Sequence, residues 1–207
     1  MIAKVCISRH DIAHPSRCCV RSDREREPAA VSFEDFERAI HSPHLKAVAR
    51  HWNEARGPGL MPSWQDLKPS RIAGQLSIIW SYIYDPSTDE FRGRLAGDRI
   101  VQVISRNIRG LPLKDVHPET FPWLQGMLHR VAIEAMAFRS AGPVYKQAAR
   151  LEYGERIVLP LGHGGIADGV LGATEYHRAQ FVPGVAIEPV APNEEWYALR
   201  QSSPVGG

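Results

Sequence analysis

Apolar and polar residues alternate with a period of two in two separate parts of the chain, which predicts two groups of β-strands. The first group is Leu76–Tyr84, rich in β-branched and aromatic residues, followed by a turn at 85–89 and the alternating segment Phe91–Ala96. The second group comprises Val144–Tyr153, Arg156–Leu161 and Gly169–Tyr176, with predicted turns at Gly154 and at 163–165. The chain is therefore expected to contain five strands.

Helical spacing of apolar residues precedes the first group of strands and separates it from the second. Ser32 can cap a short helix over Phe33–Ile40, and Pro43 suits the first turn of a second helix, which the Gly/Pro cluster 56–59 ends. Gly97 and Asp98 can begin another short helix. The longest predicted helix runs from Glu119 to Ser140, because its apolar positions cover a wide face.

Two strands before a helical segment and three after it predict an α+β domain, namely a five-stranded antiparallel sheet with helices over one face, plus N-terminal helices. The expected organisation is a disordered leader (1–31), an N-terminal helical extension (32–75), a core domain (76–178) and a C-terminal tail (179–207).

Composition narrows the classes of function. The net charge is +2 and the basic residues are scattered, so no nucleic-acid partner is expected. No run of about 18 apolar residues occurs, so we expect neither a membrane partner nor a secretory signal, and a cytoplasmic location is the default. Cys6, Cys18 and Cys19 match no disulfide or zinc spacing, and no metal site is expected.

Three separated blocks resemble a bacterial PAS subfamily, PAS family 5. They read HWNEARGPGLMPSWQDLKPSRI from His51, FRGRLAGDRIVQVISRNIRGLPLKDV from Phe91 and VLPLGHGGIADGVLGATEY from Val158. The resemblance covers about 125 residues in the expected order. It departs from the family at Asp98, where Thr or Ser is usual, and at 108–110, where Leu-Thr-Gly is more common. The blocks therefore imply a PAS fold.

The resemblance implies an interior space between the sheet and the helices that holds a small molecule. By alternation, inward-facing strand residues and apolar helix residues should line it. The predicted pocket residues are Phe91, Leu95, Ile100, Ile104, Met127, Val131, Ile157, Leu159, Leu161, Leu171 and Ala173. The alternative is a filled hydrophobic core, since core side chains normally pack without voids.

Two cofactors and one surface are suggested by particular residues. His129 lies on the predicted long helix, where heme-binding PAS domains carry their axial ligand, so heme is one candidate cofactor. Trp80, Tyr82 and Tyr84 form an aromatic stripe on which a flavin could stack, although the absence of cysteine from the domain excludes a covalent flavin adduct. The stripe is interpreted instead as packing against the N-terminal helices or a second subunit, and with Trp52 it is assigned as a surface for a protein partner.

The sequence thus favours a stand-alone sensory or regulatory module that binds a small molecule in an apolar cavity and signals through protein partners. A homodimer through the segment Phe33–Arg56 is also expected. The alternative is a protein-interaction adaptor that binds no ligand. An enzyme is not expected, because the predicted inward positions are nearly all aliphatic and no nucleophile and base occur at a recognised spacing.

Overall fold

The computed structural model describes residues 32–147, 150–177 and 193–200, which form an antiparallel sheet with helices on both of its faces. The strands are β1 (Ile79–Asp85), β2 (Glu90–Ala96), β3 (Met136–Gln147), β4 (Arg150–His163), β5 (Ile166–His177) and β6 (Asn193–Ala198). Their order across the sheet is β2-β1-β5-β4-β3-β6. The predicted α+β class is confirmed, and the sheet has six strands where five were predicted.

Five α-helices accompany the sheet in the described part of the chain. They are α1 (Phe33–Ala39), α2 (Pro43–Arg56), α3 (Asp98–Ile104), α4 (Leu113–Val116) and α5 (Phe121–Ile133), and two 3₁₀ helices cover Trp64–Asp66 and Pro69–Ile78. Local sequence fixes the first two helices. Ser32 and Asp35 form a capping box before α1, and the Ser42 hydroxyl accepts a hydrogen bond from the Leu45 N–H at the start of α2.

Each face of the sheet carries its own hydrophobic core. On one face, which we call the N-terminal face, α1, α2 and the 3₁₀ helices bury residues such as Phe36, Leu45 and Trp52. On the other, which we call the α5 face, α3, α4 and α5 bury residues such as Leu128 and Phe138. The segment predicted as a helical extension therefore packs directly on the sheet, and helices cover two faces where one was expected.

The region between α5 and β4 differs from the prediction. The helix ends at Ile133, where a helix to Ser140 was predicted, and Ala135 adopts a positive φ of 51° just before β3 begins. Ala, Met and Phe at 135–138 suit an amphipathic helix, but β3 lies between β4 and β6, and these strands supply its hydrogen bonds. Gly154 was predicted to turn a corner and instead lies within β4.

The C-terminal tail was also predicted incorrectly in part. Within 179–207, β6 pairs with β3 from Met136↔Ala198 to Ala141↔Asn193 and completes the sheet. The predicted leader (1–31), with its three cysteines, lies outside the described residues. Among the helices of the described residues, none is both long enough and apolar enough to cross a membrane.

Candidate ligand site on the α5 face

The pleat of the strands decides which predicted pocket residues face α5. Phe91, Ile100, Met127 and Val131 are buried together on the α5 face, and Ile104 packs at the edge of this cluster. The other six predicted pocket residues lie in the opposite core, against α1, α2 and the 3₁₀ helices: Leu95, Ile157, Leu159, Leu161, Leu171 and Ala173. The predicted set therefore does not line one space.

The reason for this division is that both faces of the central strands are apolar. In β4, Ile157 and Leu159 point to the N-terminal face, whereas Val158 between them points to the α5 face. When both faces are covered, alternation shows which residues share a face but not which helices cover it.

Three of the four residues interpreted as a partner surface are buried within the chain. Trp52 is fully buried in the N-terminal core, where its Nε1–H donates to the Pro160 carbonyl at 2.8 Å. Trp80 and Tyr82 are 8% and 3% exposed and lie on the α5 face. Tyr84 is half-buried, and its hydroxyl donates to Asp89 Oδ1 at 3.0 Å. The partner-surface interpretation of this set is therefore wrong, because neighbouring elements of the same chain cover it.

The apolar residues of α2 are likewise covered by their own sheet. Leu45, Val48, Ala49 and Trp52 are buried in the N-terminal core. The apolar face on which the predicted homodimer contact through Phe33–Arg56 depended is thus occupied within the chain.

Gly172 creates the space in which the Trp80 indole lies. A Cβ atom on Gly172 would fall 2.2 Å from Trp80 Cε2 and Cζ2, so the ring lies directly across the backbone of β5. From there the Trp80 Nε1–H donates to Thr174 Oγ1 at 2.9 Å. Tyr82 meets Trp80 edge to face, with ring centroids 5.9 Å apart and an interplanar angle of 74°. This tilted pair is not a flat platform for a flavin ring.

A buried arginine stands next to this aromatic pair, and the sequence reasoning missed it. Arg156 of β4 pairs with Thr174 of β5 and projects to the α5 face, where its guanidinium carbon is 6.0 Å from the Trp80 ring centroid. Its Nε–H donates to Thr174 Oγ1 at 3.4 Å, and Nη2 donates to the Val144 carbonyl. Burial lowers the pKa of Arg156, yet an arginine side chain stays protonated in proteins.

The two groups that accept hydrogen bonds from Arg156 are neutral. Among the side chains that the structure describes, no carboxylate lies within 4.0 Å of its guanidinium, although Glu194 acts on it from a greater distance. Half-buried His117 follows α4, and burial, assisted by the Arg156 charge, lowers its pKa to about 4. His117 is therefore neutral at pH 7. Burial raises the pKa of Tyr82, so its phenol is also neutral.

The Tyr82 hydroxyl is buried and has no hydrogen-bond partner among the residues that the structure describes. Such a group costs free energy in a folded protein unless a ligand or water completes it. A sequence signal for this site exists in retrospect. Arg156 directly precedes the apolar run Ile-Val-Leu-Pro-Leu, and a charged residue next to a buried apolar run requires explanation.

The surroundings of His129 do not suit a heme ligand. Its Nε2 lies 2.6 Å from Asp89 Oδ1, and the side chain is 32% exposed at the β1–β2 turn. The ring also contacts Tyr84 and Phe91 edge to face. Because the ligating nitrogen faces a carboxylate at the rim, these residues do not fit an axially bound heme. No group of three or more His, Cys, Asp or Glu residues suited to a metal ion occurs within the described part of the chain.

A second polar network, on the N-terminal face, fixes α2 to the sheet. Buried Arg139 donates to Glu155 Oε1 at 2.7 Å and to Glu195 Oε1 of β6 at 3.0 Å. The same Glu155 carboxylate accepts hydrogen bonds from the backbone N–H groups of His41 and Ser42, between α1 and α2. This network joins the N-terminal helices, β3, β4 and β6.

The family assignment follows from a direct comparison. The sequence profile described as a PAS domain, of the PAS family 5 type, matches residues 40–173. This span covers well over half of the chain, and the chain belongs to the PAS domain family. PAS domains are generally sensory or interaction modules. A comparison of the chain with curated proteins and with solved structures found no significant match.

Proposed function

We propose that this PAS domain is a sensory module that binds a small molecule between the α5 face of the sheet and helices α3–α5, and that it signals through a protein partner. The observation that carries the proposal is the presence of incompletely satisfied polar groups in an otherwise apolar layer. The Tyr82 hydroxyl is buried and has no described hydrogen-bond partner, and Arg156 is a buried cation with no described carboxylate within 4.0 Å. A domain that served only as a filled scaffold would gain stability from apolar residues at these positions.

The position of these groups also supports the proposal. Helix α5 supplies Met127 and Val131 to the same core cluster as Tyr82, and the turn after α4 brings His117 near Arg156. A ligand at this place would contact both the sheet and the helices. Its binding could then change the helix positions that a partner contacts, by favouring one of two arrangements.

The test is native mass spectrometry of the full chain purified from its own source, compared with the mass under denaturing conditions. We expect an excess mass of a small molecule that denaturation removes. An absorbance spectrum of the same sample reports any conjugated cofactor.

A native mass equal to the chain mass, together with no thermal stabilisation by a broad metabolite library, would contradict ligand binding. That result would favour the alternative function, a protein-interaction adaptor that binds no ligand.

A further inference from the structure

We infer that the ligand of the α5 face is a small organic carboxylate whose charged group lies against the Arg156 guanidinium and the Tyr82 hydroxyl. This inference rests on the proposed function and adds the chemical class of the ligand. It starts from two neighbouring polar side chains of the α5 face, Arg156 and Tyr82, whose charge or hydrogen-bonding requirements the described residues leave incomplete.

The first argument is charge. Arg156 is 8% exposed, and the acceptors that it reaches, Thr174 Oγ1 and the Val144 carbonyl, are neutral. Removing a cation from water costs several kcal/mol unless an anion and further hydrogen bonds offset the loss. A guanidinium offers five N–H donors in a planar fork that matches a carboxylate. An anion is therefore the ligand that this position favours most.

The second argument is independent and concerns Tyr82. Its hydroxyl is a neutral donor that is buried and has no partner in the described part of the chain, and Tyr82 lies two residues along β1 from Trp80. Trp80 contacts both groups, with its ring 6.0 Å from the Arg156 guanidinium carbon and 5.9 Å from the Tyr82 ring. An oxyanion beside Trp80 would accept hydrogen bonds from both side chains, which a neutral apolar ligand would not.

The surroundings favour a carboxylate over a phosphate. One guanidinium and one phenol supply a single positive charge, while the next layer is apolar and includes Phe91, Val158 and Val170. A phosphate dianion normally requires more cationic and N–H donors than this. A carboxylate joined to an aliphatic or aromatic body matches the charge of Arg156 and the apolar character of the remaining wall.

The experiment measures binding to the full chain by calorimetry and thermal shift with defined probes. These are straight-chain carboxylates from acetate to octanoate, benzoate and phenylacetate, the corresponding primary amides, and inorganic phosphate. We expect at least one carboxylate to bind and its amide to bind at least about tenfold more weakly, because a hydrogen bond to a charged group is stronger than a neutral one.

Three variants test the assignment of residues. Arg156→Gln should weaken carboxylate binding by about 10- to 100-fold. Tyr82→Phe should weaken it by a smaller factor, about three- to tenfold, while leaving the unliganded protein as stable as the wild type or more so, because it removes a buried unpaired hydroxyl. Arg94→Gln is the matched control. Arg94 also stacks on a tryptophan, 4.7 Å from the Trp64 ring centroid, but that ring packs on the N-terminal face.

The possible outcomes separate this inference from the proposed function. Equal binding of an amide, binding of phosphate alone, or unchanged affinity in Tyr82→Phe would overturn the carboxylate assignment. A neutral small molecule identified by native mass spectrometry would do the same and leave ligand binding intact. Failure of every carboxylate to bind the wild type would also overturn it. Tyr82→Phe keeps the test valid if Arg156→Gln does not fold.

Discussion

Gly172 decides the position of the Trp80 indole, and through it the geometry of the candidate site. The ring crosses the β5 backbone where any side chain would stand, with a Cβ position 2.2 Å from two ring atoms. Its Nε1–H is held by Thr174, so the ring cannot move away without losing that hydrogen bond. The absence of one side chain thus brings an aromatic surface next to Arg156.

We predict that Gly172→Ala destabilises the protein by about 2 kcal/mol or more, because the new methyl group overpacks the Trp80 ring. Gly126→Ala provides the matched control. Gly126 lies exposed within α5 with nothing within 4 Å of its Cβ position, so alanine there should stabilise the protein by about 0.5–1 kcal/mol through helix propensity. Urea denaturation measures both changes. Equal effects of the two substitutions would show that Trp80 is free to move.

Single residues also show where sequence reasoning reaches its limit. Alternation correctly grouped Ile157, Leu159 and Leu161, but it placed them in a pocket with Met127, which lies on the other side of the sheet. Tyr82 and Trp80 were interpreted as outward-facing, and they face α5. A period of two carries no information on which helix covers which face, because that depends on contacts between distant segments.

At the scale of elements, the parts predicted best are those whose signals are local. The capping box at Ser32, the proline at the start of α2 and the glycine turn after His163 all appear as expected. The first part of β3 was predicted as a helix, because the residues at 135–140 are good helix formers and only their pairing with other strands makes them extended. Arg139 was consequently placed in a helix and its buried role was not foreseen. Strand β6 was missed, since it lies in the predicted tail.

Arg139 and Glu155 connect the sheet to the N-terminal helices. We predict that substitutions at these two residues have strongly coupled effects on the free energy of unfolding. Both side chains are almost completely buried, at 2% and 4% exposed. Removing one member leaves the other as an uncompensated buried charge, so Arg139→Met should lower the free energy of unfolding by about 3–5 kcal/mol. The double variant Arg139→Met/Glu155→Gln should cost less than the sum of the single variants by at least about 1 kcal/mol.

The surface pair Arg50–Glu37 supplies the control for that cycle. It joins α2 to α1 at 2.6 Å, but the Arg50 side chain is 62% exposed. Solvent screening should limit its coupling to about 0.5 kcal/mol in the same denaturation assay. Additive effects at Arg139 and Glu155, or an equally large coupling at the surface pair, would contradict a special role for the buried network.

At the scale of the whole molecule, the sheet separates two different environments. The N-terminal face is closed by Trp52 and its apolar neighbours, and its main polar groups have partners in Arg139 and Glu155. The α5 face contains the buried cation Arg156, which has no carboxylate within 4.0 Å among the described side chains, and the Tyr82 hydroxyl, which has no described partner. One ring nitrogen on the N-terminal face, His51 Nδ1, is also buried without a described partner. Proteins tolerate such groups mainly where a ligand or a functional change involves them. The buried arginine of the N-terminal face has carboxylate partners and that of the α5 face has none among the described side chains, and this difference supports assigning structure to one face and recognition to the other.

If the N-terminal face is structural, α1 and α2 should unfold together with the sheet, despite the domain boundary near residue 75 that the sequence suggested. Leu45→Ala in α2 should lower the free energy of unfolding by about 2–5 kcal/mol, because Leu45 is fully buried against the sheet core. Leu76→Ala is the control, since Leu76 is 42% exposed and its loss should change stability by no more than about 0.5 kcal/mol.

Hydrogen exchange measures whether the loss of stability in Leu45→Ala affects the whole domain or α2 alone. If the helices and the sheet form one cooperative unit, amides of α2, β4 and α5 should show the same reduction in their free energy of opening. A reduction confined to α2, with β4 unchanged, would instead identify the N-terminal helices as a separable unit. They could then detach from the sheet and expose Ile157 and Leu159 to a partner, and the N-terminal face, as well as the α5 face, would belong to the signalling mechanism.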